Sequence, residues 1–164
     1  ADGGLAANLP TGTVVTVTSG AVLDLGGNTQ ALAGLSGSGL VTNGTLSVNG
    51  LIMPGATNAI GTLTLATATT LNGTLLVDTA LGGTNDQLKV QGSLNLANTI
   101  LRVQDVNQLK SGTPYVIATC APGGLTGTFS SSNFVPGTRW HVVYDTVKGE
   151  VRLEIVRGTL LQIN

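Results

Sequence analysis

The sequence predicts an all-β chain built as a β-solenoid and closed towards its C-terminus by a β cap. Aliphatic residues alternate with Thr, Ser and Asn at a period of two, the pattern of half-buried strands. A short Gly-Thr/Ser-apolar-x-apolar unit recurs along the first half. The core inventory is nearly free of aromatics: 41% of the 164 residues are hydrophobic and only 3% aromatic, so Leu, Val, Ile and Ala must fill the interior. Stacked repeats suit such an inventory, because equivalent aliphatic positions form columns and small turn residues form corners. A sandwich or barrel of hairpins is the competing all-β architecture.

Residues 1–96 carry the repeats. Copies of the unit begin at Gly44, Gly61, Gly73 and Gly92, separated by 17, 12 and 19 residues, with a looser one at Gly12-Thr13-Val14. Between them stand Gly26-Gly27, Gly37-Ser38-Gly39, Asn43-Gly44, Asn49-Gly50, Pro54-Gly55 and Asn72-Gly73. Gly and Asn accept positive φ, so these read as sharp corners between strands of about 4–6 residues. From Ala1 to Asn85 the only charges are Asp2, Asp24 and Asp78.

Residues 97–157 read as further coils and the cap. Every Lys and Arg lies between Lys89 and Arg157, and Trp140, both Tyr and both Phe fall in this part. Thr99–Val103 is rich in β-branched residues and predicts a strand. Tyr115–Thr119 is a strand opened by Pro114, and Leu125–Phe129 follows. Arg139–Asp145 and Glu150–Val156 predict a hairpin around Thr146–Gly149. Alternation puts Trp140, Val142 and Tyr144 on one face and His141 on the other, with Val151, Leu153 and Ile155 together. Residues 158–164 read as a short apolar-alternating tail strand.

The segment Leu23-Asp24-Leu25-Gly26-Gly27-Asn28-Thr29-Gln30, followed by Leu35–Gly39 and Asn43–Leu46, resembles the autotransporter-associated β-strand repeat. Asp86–Leu96 is similar to the segment that follows such repeats in autotransporter passengers. Tyr115–Ile117, Leu125–Phe129 and the Tyr144-Asp145 hairpin resemble the C-terminal end of those passengers. The resemblance spans roughly residues 11–156. It implies a right-handed parallel β-helix exported across a Gram-negative outer membrane, hence an extracellular or cell-surface location.

Catalysis needs converging ionisable or nucleophilic groups, and the sequence offers few. The first 85 residues supply three aspartates and no base. Asp24 alternates outward, and Asp78 ends a strand where it would cap a turn. His141 stands four strand positions from Asp145, about 13 Å by strand rise, and no Gly-x-Ser-x-Gly elbow precedes it. Gly82-Gly83-Thr84-Asn85-Asp86 reads as a turn rather than a calcium repeat, and Asn43 and Asn72, despite their acceptor-like sequons, read as turn residues. Cys120, the single cysteine, reads as a small buried apolar residue. The chain is therefore expected to be no enzyme and to use no cofactor or metal. A formal net charge of −1 leaves no basic footprint for nucleic acid. No apolar run approaches the roughly 20 residues of a spanning helix, so no membrane insertion by this chain is expected.

The expected role is a structural surface protein, a stalk or a self-assembling fibre subunit. Thr159, Leu160, Leu161, Gln162 and Ile163 are the candidate assembly strand, added to the open edge of the next copy in a head-to-tail homopolymer. The alternative is an adhesin that recognises a surface glycan or a host protein, with Trp140 and Tyr144 as the candidate contact residues. A polysaccharide-active enzyme comes third.

Overall fold

A computed structural model describes residues 9–80, 83–105, 109–110, 112–134 and 140–155. Over these residues the chain is all β. A 13-stranded mixed sheet curls into a half-barrel around one aliphatic core, and a two-stranded hairpin stands beside it.

The first strands pair in parallel, each on the next. β1 (Val14–Val17) lies against the end of β2 (Val22–Gly37), and β2 runs alongside β3 (Leu40–Pro54). β3 then divides its partners. Leu40 to Val48 pair with β4 (Thr62–Leu71), and Leu51 and Ile52 pair with β5 (Thr74–Val77). The ribbon β6 (Thr79–Ala80) and β7 (Thr84–Asn85) is antiparallel. Further on, β4 pairs with both β8 (Gln87–Val90) and β9 (Leu94–Asn95), and β5 pairs with β10 (Ile100–Val103). β11 (Tyr115–Thr119) adds to β8, β12 (Leu125–Thr126) to β9, and β13 (Ser131–Ser132) to β10, all in parallel. The direction then reverses. β14 (Trp140–Asp145) and β15 (Glu150–Ile155) form the expected hairpin, and β15 pairs antiparallel with β11.

This arrangement corrects the expected right-handed parallel β-helix: one curled sheet mixes parallel and antiparallel pairs. Strand length departs as well. β2 has 16 residues and β3 has 15, and they run through Gly26-Gly27 and Asn49-Gly50, where corners were expected. The period-two pattern fixes which side chains face inward. It does not fix whether a glycine breaks a strand or bends it, nor in which direction the neighbour runs.

Lateral pairing stacks the core in columns. Leu35, Ile52, Leu75 and Leu101 are successive partners, and all are at most 1% exposed. Val41, Leu65 and Val90 form another column, and Leu32, Val48 and Leu71 a third. The outward positions of the same strands carry Thr, Ser and Asn. Amides link there as well: Asn72 Nδ2 donates to Asn49 Oδ1 at 3.0 Å, and Asn98 Nδ2 to Asn72 Oδ1 at 3.4 Å. The core also takes in one amide. Gln30, 4% exposed, accepts from the Leu9 N–H and donates to the Leu9 carbonyl, both at 2.8 Å, as a strand's peptide group would.

Candidate functional site

The aromatic residues singled out for ligand contact sit in packing positions. Trp140 is half-buried and meets Tyr115 edge-on, with ring centroids 5.9 Å apart. Tyr144 lies beside Phe129 at 6.0 Å, and its hydroxyl accepts the Phe129 N–H at 3.0 Å. Both pack against the aliphatic core, under which Val151 and Leu153 are buried. Burial raises the Tyr144 hydroxyl above its usual range, partly offset by that N–H. Their shared face, read from alternation, is therefore the inner face of the hairpin. His141, on the opposite face, is exposed. The candidate assembly strand Thr159, Leu160, Leu161, Gln162 and Ile163 lies outside the described residues.

Cys120 is buried as expected, and burial raises its thiol above the usual range. Charged side chains gather on the hairpin: Arg152 pairs with Glu150, Glu154 and Asp145, and Lys148 with Asp145. These half-exposed pairs each contribute at most about 1 kcal/mol. A groove of about 350 Å³ runs beside β1, lined by hydroxyls from Thr16, Thr18, Ser19, Ser36, Ser38 and Thr57. Thr16 and Ser36 already bond each other at 2.9 Å. No aromatic or charged side chain lines this groove, so it offers a sugar neither a stacking face nor a charged hydrogen bond.

The unusual chemistry lies at two aspartates. Asp86, fully buried, accepts the Gly61 N–H on one oxygen at 2.7 Å and the Asp78 N–H on the other at 2.9 Å. The Asp86 N–H returns to the Asp78 carbonyl at 2.9 Å. Asp86 thus ties the loop before β4 to the strand end after β5. Asp78 does end its strand, yet its carboxylate caps no turn. It is 4% exposed, and among the described residues neither oxygen has a hydrogen-bond partner. The Asn58 N–H faces it and favours its charge without closing a bond. Gly61 and Asp86 are 25 positions apart, and nothing in the local residue pattern marks them as partners.

Burial pushes the Asp86 carboxyl up to about 6; its two N–H partners oppose this, and the Asp78 charge adds to it. Burial also raises Asp78, the Asn58 N–H opposing and the Asp105 charge adding. A carboxyl raised on folding stabilises the protonated fold. That stability is complete below the unfolded value of 3.8 and disappears as pH rises through about 6. With chelator present, the urea-unfolding free energy should therefore be about 1.4 kcal/mol larger at pH 5 than at pH 8 from Asp86 alone. Asp78 adds to the difference with the same sign. A stability that rises between those two pH values would contradict the buried placement.

Among the described residues no three His, Cys, Asp or Glu side chains gather around a metal position. No described helix is long and apolar enough to cross a membrane. No protein-family model and no curated protein matches the chain.

Proposed function

We propose that this chain is a structural protein of a bacterial surface, a segment of a stalk or fibre that extends by strand addition at β1. The observation behind this reading is the difference between two of the sheet's end strands, β1 and β14. Among the described residues β1 pairs only with β2. The Thr13 and Val17 carbonyls accept from Ala33 and Gly39, both at 2.9 Å. With a period of two, the peptide groups of Val14 and Thr16 then face away from β2. That edge carries no charged side chain, and Val14 and Val22 beside it are 70% and 60% exposed. β14, at the other end, carries His141 and Asp145 beside the Arg152 ion pairs. Charges on an edge discourage pairing, whereas an uncharged β-branched edge invites it. The resemblance to autotransporter passengers points to the same extracellular setting. Thr159–Ile163 of a second copy is the strand proposed to occupy the edge.

Negative-stain electron microscopy across a concentration series tests this reading. Filaments should lengthen with concentration in the unaltered protein. Val14→Pro removes an outward N–H at an exposed edge position, where proline is tolerated. It should leave the melting temperature within a few degrees while abolishing filaments. Filaments that persist in Val14→Pro would rule out the β1 edge, and short single particles at every concentration would rule out assembly. Trp140→Ala should lower stability without altering binding on a glycan array. Selective array hits lost in that variant would instead favour the adhesin reading.

A further inference from the structure

Both oxygens of the Asp78 carboxylate are buried and, among the described residues, close no hydrogen bond, the Asn58 N–H only facing them. Buried carboxylates are normally satisfied, because leaving one unpaired costs several kcal/mol. The surroundings make its charge harder to sustain. The carboxylates of Asp86 and Asp105 both act on Asp78 or are acted on by it, and neither is a counter-charge. The described ion pairs all lie on the β14–β15 hairpin, so none reaches Asp78.

The neighbouring groups are oxygen-rich and held in place. Asp86 uses one lone pair of each oxygen on a backbone N–H, which fixes its orientation and leaves a lone pair on each. Thr79, next in the chain, donates to the carbonyls of Gln104 at 2.8 Å and Asp105 at 3.0 Å, anchoring that turn beside Asp78. Asn58 and Asp105 hold left-handed backbone, with φ of 60° and 55°, so both loops turn sharply at this place. Three chain segments thus place the buried carboxylates of Asp78 and Asp86 beside each other and within electrostatic reach of Asp105.

We propose that Asp78 anchors a divalent-cation site, with calcium as the fitting ion and Asp86 as the residue that positions the two loops around it. One or two carboxylates completed by peptide carbonyls and water is a mode of binding open to hard cations, and it needs no third acidic ligand. Calcium suits irregular loops better than magnesium, which demands near-octahedral geometry and gives up its water reluctantly. The bound ion would supply the partner that Asp78 lacks and would join the loop of Asn58 and Gly61 to Asp78, Asp86 and the Gln104-Asp105 turn.

The test is a calcium chloride titration of the full chain against chelator at neutral pH and constant ionic strength, read by thermal unfolding. The melting temperature should rise by several degrees and saturate by about 10 mM, the range of extracellular calcium modules. Magnesium should raise it less. Asp78→Asn removes the unpaired charge, so it should melt no lower than the metal-free parent and show no calcium response. Asp24→Asn, at an exposed aspartate, should keep the full response. Isothermal calorimetry on the unaltered protein should show one ion per chain, which guards against a variant that fails to fold. A flat titration would overturn the proposal and leave Asp78 hydrated or protonated. A response that survives in Asp78→Asn would overturn it equally, placing the ion elsewhere.

Discussion

Gly73→Ala is expected to lower stability by about 3 kcal/mol, roughly 6–12 °C in melting temperature for a chain of this size. Three backbones stack at this point with no room between them. A Cβ on Gly73 would fall inside the Gly50 carbonyl, with the Gly50 Cα at 2.8 Å, and a Cβ on Gly50 would fall inside the carbonyl of Ala33. None of the colliding atoms belongs to a flexible side chain, so relief requires moving β2, β3 and β5 apart. Gly73 also supplies the carbonyl that accepts the Ile100 N–H at 2.8 Å, so the strain reaches β10. Gly12→Ala is the matched control: its Cβ would meet nothing within 4 Å. That variant should unfold within about 0.5 kcal/mol of the parent. Urea denaturation of both compares them directly. If Gly73→Ala unfolds like Gly12→Ala, the Ala33–Gly50–Gly73 stack is not present in solution.

That stack shows what local pattern conveys and what it leaves out. Gly73 and Gly50 were visible as turn residues, because glycine beside asparagine marks tight turns. The structure uses them for something the pattern does not encode, the close approach of one backbone to another some 20 positions away. The inward faces were readable. Leu63, Leu65, Leu75 and Val77, the apolar positions of the units at Gly61 and Gly73, follow the alternation, and all are 0% exposed. The β14–β15 hairpin was readable too, because Lys148-Gly149 follows an alternating run, and Gly149 takes a φ of 71°. Pairing direction was not readable. A parallel partner and an antiparallel one present the same alternating face, so β11 accepting β8 on one side and β15 on the other left no trace in the residues. The pairing of the two buried aspartates was hidden for a similar reason. Asp78 and Asp86 looked like ordinary turn aspartates, and only the register that brings Gly61 to Asp86 shows one of them satisfied and the other not.

The second large effect is expected in the aliphatic column. Leu75→Ala should cost about 4 kcal/mol, towards the upper end for a buried leucine. Such costs depend on how far the surroundings collapse into the space left behind. Here collapse is restricted, because Leu75 is fully buried between Ile52 on β3 and Leu101 on β10, both at 0% exposure and both fixed by backbone pairing. Val15, three partners along the same column, is only half-buried beside the open β1 edge, so Val15→Ala should cost about 1 kcal/mol. A double-mutant cycle sharpens the comparison. Leu75 and Leu101 are 26 positions apart and touch only if β5 and β10 pair in the observed register. Their coupling in Leu75→Ala and Leu101→Ala should then lie between about 0.5 and 3 kcal/mol. Strict additivity would mean that the two leucines are not neighbours. The lateral order of the sheet would then be wrong at its centre, even though both leucines lie in segments correctly read as strands.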